Sequence, residues 1–210
     1  MSAHTMRIDP RQLAALVGSR LCHDLVSPLG AIGNGIELLE LSDEFPGLTQ
    51  TPEMRLIAES VNAAHHRIQA FRVAFGHAGK DQRVTRAELA RLVEGMAGQC
   101  RMRVELTAFG TFPRPEIRMV VLAMMCLEHA LPQGGRVSVL QDGSGWRLLA
   151  QAEQTRPDPA LWSWLAPRDT PPQRAPAPSE VQFALLAEAA AELGRAIRWK
   201  LTGRSAEIAF

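Results

Sequence analysis

Residues 20–37 read RLCHDLVSPLGAIGNGIE and lie inside a long pattern typical of an amphipathic helix. Apolar residues recur at every third or fourth position, which is the period of one α-helical face. Because each residue turns the helix by about 100°, His23 points away from that face. The pattern predicts a helix with an outward-facing histidine and disfavours a histidine buried in the core. The apolar face consists of Leu21, Leu25, Pro28, Ile32, Ile36 and Leu39.

A second helical pattern follows a break at residues 42–47. Thr51 and Pro52 are the residue types of a helix N-cap and a first helical position. The apolar residues that follow alternate spacings of three and four, as in a coiled-coil seam. This helix ends at the sequence GHAGK, residues 76–80, so residues 1–80 are predicted to form a helical-hairpin domain. The seam consists of Met54, Ile57, Val61, Ala64, Ile68, Phe71 and Phe75.

Each predicted helix has an apolar stripe that one neighbouring helix barely covers. Hairpins of this kind usually pair into a four-helix bundle, so we expect a homodimer. The alternative is that the hairpin docks onto the rest of its own chain.

Residues 84–210 change to a mixed pattern, which predicts an α/β fold with two layers and mostly antiparallel strands. The segment 156–178 holds seven of the 14 prolines and is predicted to be an ordered or partly mobile loop. A third helix in this half is expected to begin with Ser179 as its N-cap. Helices are predicted at 86–99, 116–131 and 179–193, and strands at 102–108, 136–140, 146–152, 196–201 and 205–210.

Composition narrows the class of protein. Apolar residues make up 46% of the chain and charged residues 21%, with a net charge of +1. This balance is typical of a globular protein, and it offers no basic field for a nucleic acid. Neither a signal peptide nor an apolar run long enough for a membrane span is expected. Cys22, Cys100 and Cys126 show no CxxC spacing, which predicts reduced thiols in a cytoplasmic protein.

Small residues surround His23 on the helix surface. Ser19, Ser27, Gly30 and Asn34 lie within about 40° of it, although glycine in a helix costs about 1 kcal/mol relative to alanine. We interpret the stripe as room for another macromolecule to approach the imidazole; packing by a second element of the same chain is the alternative. An exposed imidazole is a nucleophile suited to phosphoryl relay, with Asp24 as acceptor of the Nδ1 proton.

Residues 20–28, RLCHDLVSP, resemble the H-box of histidine kinases. Together with residues 31–37, AIGNGIE, they are most similar to the ChpT-type histidine phosphotransferases of alphaproteobacteria. The resemblance implies a dimeric hairpin followed by a degenerate Bergerat-type domain, as in kinase ATPase modules, over residues 84–210. It also implies Pro28 as a helix-bending proline.

The resemblance further implies a function. His23 would accept a phosphoryl group from the receiver domain of a hybrid kinase and pass it to response-regulator receivers, with Asp24 and Ser27 beside it. Separately from the resemblance, we expect the receivers to dock on Ser19, Arg20, Gly30 and Asn34, on the side of the helix that carries His23. No cofactor or metal is expected on this chain, because Mg²⁺ would be held by the partner receiver.

An ATP-dependent histidine kinase with divergent nucleotide motifs is one alternative, and a non-catalytic dimer that binds a kinase or regulator is another. Against the kinase, the DxGxG-like string at 142–145 lies in a predicted hairpin turn, and residues 177–182 lack the expected glycines. His129 stands where the resemblance places a Mg²⁺-binding asparagine.

His65 and His66 are interpreted as solvated helix residues. Trp162 and Trp164 are predicted either to cap the vacated nucleotide pocket or to contact a partner.

Overall fold

The computed structural model describes residues 9–42, 44, 47–76, 81–98, 101–143, 145–167 and 169–210. The chain separates into two compact units, Met1–His77 and Ala78–Phe210. Parts of the predicted breaks at 42–47 and 76–80 lie outside the described residues, as does Cys100. Within the described residues, no helix has both the length and the apolar character needed to cross a bilayer.

The first unit is a hairpin of two long helices. Helix α1 spans Pro10–Glu40 and helix α2 spans Pro52–Phe75, and the two helices pack along each other. The start of α2 is as predicted, because Thr51 Oγ1 accepts a hydrogen bond from the Met54 backbone N–H at 3.3 Å and Pro52 takes the first helical position. A single 3₁₀ turn, Leu48–Gln50, precedes it.

The face of α1 that packs on α2 includes several small residues and lies beside the predicted apolar stripe, sharing only part of it. A Cβ atom built on Gly18 would lie 3.3 Å from the Phe75 Cβ, and one built on Gly33 would lie 3.9 Å from Val61 Cγ1. Cys22 lies on the same face and is buried; burial raises the pKa of its thiol. Because these side chains are small, the two helix backbones come close together at Gly18 and Gly33. The spacing of large apolar residues does not predict contacts of this kind.

The predicted stripe is instead largely open in the single chain. Leu21 is 59% exposed, Leu25 is 52% exposed and Ile32 is 49% exposed. On α2, Ile57 of the predicted seam is also exposed, whereas Ile68 is buried. The hairpin therefore leaves an apolar strip along α1 that α2 does not cover.

The second unit contains a five-stranded mixed sheet, which confirms the predicted α/β fold class. Its elements in chain order are β1 Arg83–Thr85, α3 Arg86–Gly98, β2 Met102–Thr107, β3 Thr111–Pro113, α4 Arg114–Ala130, β4 Gly135–Asp142, β5 Gly145–Gln151, α5 Pro159–Trp162, α6 Val181–Glu192, β6 Arg198–Leu201 and β7 Ser205–Ala209.

The strand order of the sheet is β2-β4-β5-β7-β6, with β2 and β4 parallel and the remaining neighbours antiparallel. Helix α4 packs on β5, β7 and α6.

Two features of this unit differ from the sequence prediction. Strands β1 and β3, which pair as a small antiparallel ribbon, were not predicted because each is only three residues long. Ser179 does not cap α6. It lies in a 3₁₀ turn, Pro178–Glu180, and the Glu180 carboxylate accepts a hydrogen bond from the Ala177 backbone N–H at 2.8 Å. The N-cap of α6 itself is Glu180, and it makes no side-chain capping hydrogen bond to that helix.

The glycine-containing string at 142–145 forms the predicted hairpin turn. Asp142 and Gly145 are register partners at the ends of β4 and β5, which leaves a two-residue loop between them. Gly143 adopts a left-handed φ of 58°, a conformation that glycine accepts readily and that such turns require. Ser144 lies outside the described residues.

The two tryptophans of the proline-rich segment make different kinds of contact. Trp162 is fully buried, with its ring 5.6 Å from that of Phe183 and 5.5 Å from that of Trp199, between centroids. Trp164 donates its indole N–H to the Arg174 carbonyl at 2.8 Å. A side chain buried as completely as that of Trp162 serves the core of the unit, which argues against the partner-contact alternative for this residue.

Candidate functional site

His23 lies near the middle of α1 with its side chain 80% exposed. The preceding residue, Cys22, faces α2 and is buried. Because neighbouring residues on a helix point about 100° apart, burial of Cys22 turns the imidazole of His23 towards solvent. The histidine is thus presented on the surface of a rigid helix.

Two charged neighbours on α1 are linked to this imidazole. Asp24 Oδ1 lies 3.2 Å from His23 Nδ1. The other oxygen, Asp24 Oδ2, accepts a hydrogen bond from Arg20 Nε at 2.7 Å, one helical turn earlier. Arg20, Asp24 and His23 therefore form a continuous chain of polar contacts on the helix surface.

The Asp24 carboxylate favours one tautomer of the His23 ring. Its hydrogen bond with His23, supported by Arg20, holds the pKa of the Asp24 carboxyl below its ordinary value. An ionised carboxylate can only accept hydrogen bonds, so the contact requires the proton on Nδ1. In the neutral ring the lone pair then resides on Nε2. The arrangement presents a nucleophilic nitrogen at an exposed position.

The other predicted site residues lie around His23 in different environments. Ser27 and Asn34 are exposed. Gly30 is half-buried, but a Cβ atom built on it would meet no described atom within 4 Å. Ser19 is also half-buried and lies against the end of α2, with its Oγ 3.1 Å from a Cβ built on Gly76.

The proline of the motif is accommodated inside the helix. Helix α1 continues through Pro28 to Glu40. Proline has no backbone N–H, so the carbonyl of Asp24 lacks its helical donor.

A second polar cluster, which the sequence analysis did not assemble, lies in the Ala78–Phe210 unit. Arg174 joins two carboxylates: its Nη1 and Nη2 lie 2.7 and 2.9 Å from the two oxygens of Glu180, and its Nη2 lies 2.7 Å from Asp158 Oδ2. His129 Nε2 is 3.8 Å from Glu180 Oε1. Only His129 was singled out from the sequence, because Arg174 and Asp158 come from an irregular loop that carries no periodic signal.

Ion pairs of Arg174 with Asp158 and Glu180 dominate the electrostatics of the cluster. Hydrogen bonds from Arg174 lower the pKa of Glu180 to about 2. Burial lowers the pKa of His129, so its ring favours the neutral form. His129, Asp158 and Glu180 offer ligand atoms within 4.8 Å of one another, as a metal site would. The Arg174 guanidinium, however, already bonds to both carboxylates, so a cationic group is present in the cluster.

The adjacent histidines of α2 are less exposed than predicted. His65 and His66 are both half-buried, and Gln69 Nε2 lies 3.3 Å from His65 Nε2. This contact holds His65 within its own helix. Neither residue contributes to the contacts around His23.

Comparison with known proteins agrees with this architecture. The sequence model of the family described as histidine phosphotransferase C-terminal domain matches residues 86–205, more than half of the 210-residue chain. The chain belongs to the histidine phosphotransferase family.

One relative and one solved structure illustrate the similarity. The chain is 33% identical over 143 residues to the protein phosphotransferase ChpT of Brucella abortus (strain 2308), a match covering 63% of this chain and 62% of the relative. The chain thus spans less than two thirds of that relative's length. Its fold is similar to that of a solved bacterial phosphotransferase, with a TM-score of 0.67, 22% identity, and coverage of 97% of this chain and 98% of that one.

Proposed function

We propose that this protein is a histidine phosphotransferase of a phosphorelay, with His23 as the residue that carries the phosphoryl group. The observation that carries this proposal is the His23 imidazole itself: it is exposed, and its Nδ1 is held by the Asp24 carboxylate at 3.2 Å. Membership of the histidine phosphotransferase family supports the same reaction class.

The transfer follows from this arrangement. The Nε2 lone pair attacks the phosphorus of an aspartyl phosphate on a partner receiver domain. The bond between phosphorus and the aspartate oxygen breaks, and the aspartate leaves as a carboxylate with the electron pair. The imidazole ring becomes positively charged, and Asp24 stabilises that charge through Nδ1–H. The reverse steps deliver the group to the aspartate of a second receiver.

The partner supplies the rest of the chemistry. Transfer between phosphohistidine and phosphoaspartate depends on alignment and on neutralisation of the phosphoryl oxygens. Mg²⁺ bound by the receiver meets the second need, so this chain carries no metal in the proposal. Ser27, Gly30 and Asn34 around His23 leave room for the receiver to approach, and the empty space above Gly30 supports docking over packing by the hairpin itself.

A homodimer is part of the proposal. The exposed apolar strip of Leu21, Leu25 and Ile32 lies opposite His23 on α1. A second copy of the hairpin would bury this strip in a four-helix bundle and leave His23 facing outwards. Dimerisation and phosphotransfer would then use opposite sides of the same helix.

An ATP-dependent kinase is the less favoured candidate. The resemblance to kinases places nucleotide contacts at His129 and just before α6, where this chain has the ion pairs of Arg174 with Glu180 and Asp158. We therefore propose that phosphate reaches His23 from a partner protein and not from ATP.

The experiment that tests the function is transfer of label from a phosphorylated receiver domain to the purified protein. The expected result is rapid labelling of the wild-type chain and none of His23→Gln, in which the amide lacks a nucleophilic imidazole nitrogen. His66→Gln is the matched control and is expected to be labelled normally. Labelling of His23→Gln would contradict the proposal.

A further inference from the structure

We infer that Arg20 is a positioning residue for His23, acting through Asp24. This inference rests on the proposed function and adds a residue to its mechanism. From the sequence, Arg20 was predicted to be one of the residues on which a receiver docks. The structure assigns it to a different contact, within its own helix.

Arg20 holds one oxygen of the Asp24 carboxylate. Arg20 and Asp24 are four residues apart, the spacing at which helical side chains lie side by side. Arg20 Nε donates to Asp24 Oδ2 at 2.7 Å, a short charge-assisted hydrogen bond. Arg20 therefore fixes the position of one oxygen of the Asp24 carboxylate. The other oxygen, Oδ1, lies 3.2 Å from His23 Nδ1.

The Asp24–His23 contact is weak unless Arg20 also bonds to Asp24. Adjacent residues on a helix diverge by about 100°, so the Asp24 side chain must hold a particular rotamer to reach the ring beside it. The Asp24 side chain is 48% exposed and would otherwise sample several rotamers in water. The Arg20 contact selects the rotamer that reaches Nδ1.

The rotamer of Asp24 affects the reactivity of His23 through the tautomer of its ring. Only the tautomer with a proton on Nδ1 has its lone pair on Nε2, the nitrogen that is proposed to attack phosphorus. By orienting the Asp24 carboxylate, Arg20 raises the population of that tautomer. Arg20 also provides charge that keeps Asp24 ionised, so the acceptor remains available.

The test compares two substitutions and two phosphoryl donors. Arg20→Gln removes the charge, Arg20→Lys retains it, and Arg55→Gln is the matched control at an exposed helical arginine of α2. The donors are a phosphorylated receiver domain and phosphoramidate, a small molecule that needs no docking surface. The ¹⁵N chemical shifts of the His23 ring report its tautomer independently of any transfer rate.

The expected result is that Arg20→Gln shifts the His23 ring towards a mixture of tautomers. It should also slow phosphorylation about two- to fivefold with both donors, the size typical of an exposed ion pair. Arg20→Lys should recover much of both properties, and Arg55→Gln should change neither. Because Arg20 is 76% exposed, the fold should remain intact, which thermal melting checks.

Two outcomes would overturn the inference. If Arg20→Gln leaves the ring shifts and the phosphoramidate rate unchanged but slows transfer from the receiver, Arg20 is only a docking contact. If it changes nothing, the ion pair has no role. Failure of the proposed function would look different, because His23→Gln would then still accept phosphate.

Discussion

Asp24 reaches back to the residue immediately before it, with Oδ1 3.2 Å from His23 Nδ1. Two adjacent side chains on a helix do not face each other, so this contact depends on the rotamer of Asp24 and on its second partner. Its consequence is chemical: one ring nitrogen is occupied, and the other is left for reaction.

A larger residue at Gly30, beside His23, should hinder docking of a receiver domain without changing the intrinsic reactivity of the imidazole. Gly30→Gln fills space that no described atom occupies, and it should stabilise the helix by up to about 1 kcal/mol. We expect slower transfer from a phosphorylated receiver, unchanged phosphorylation by phosphoramidate, and an equal or higher melting temperature.

The control for this variant is Gly35→Gln, at a position that is equally open but about 120° around the helix from His23. It should transfer normally. A stable Gly30→Gln protein with full activity towards the receiver would show that the small residues serve no docking role.

The apolar strip on α1 should hold two chains together. Leu25→Asp introduces a charge that is tolerated in the single chain, where Leu25 is half exposed, but that costs several kcal/mol when buried in an interface. Light scattering should give about twice 23.0 kDa for the wild type and 23.0 kDa for the variant. Leu38→Asp, at an exposed leucine about 140° away on the same helix, should stay dimeric. A wild-type monomer would contradict the dimer.

Features encoded by neighbouring residues could be predicted from the sequence, whereas contacts between distant residues could not. Residue spacing predicts the exposure of His23, the Thr51 cap and the hairpin turn at 142–145, because each is encoded within a few neighbouring residues. It misassigns the packing face of α1, since Gly18 and Gly33 act there by being small and give no hydrophobic signal. The Arg174 cluster is beyond sequence reasoning of this kind, because its partners are far apart in the chain and meet only through the fold.

Nucleotide should not bind to the Ala78–Phe210 unit. The positions that resemble kinase nucleotide contacts hold His129 and the Glu180–Arg174 pair. Calorimetry with Mg-ATP at millimolar concentration should show no saturable heat, and incubation with labelled ATP should leave His23 unlabelled. A stoichiometric site of micromolar affinity would favour the kinase alternative.

The Arg174 cluster should make stability depend on acid. The pKa of Glu180 is lowered to about 2 in the folded chain, against about 4.3 for an unperturbed glutamate. A lowered folded-state pKa contributes stability above the unfolded value, and this contribution is lost as pH falls towards 2. Urea unfolding should show Arg174→Met less stable than wild type at pH 7, with the difference shrinking between about pH 4 and pH 2. Arg103→Met, on an exposed strand position, should show no such dependence. A constant difference across pH would contradict the assignment.

The measurement that tests the central claim most directly is the location of the phosphoryl group after transfer. The purified protein is mixed with a phosphorylated receiver domain, trapped at alkaline pH, and analysed by mass spectrometry and by ³¹P and ¹⁵N NMR. Our account predicts a single phosphohistidine at His23, with phosphorus bonded to Nε2. A phosphoryl group on another residue, on His23 Nδ1, or on no residue of this chain would contradict it.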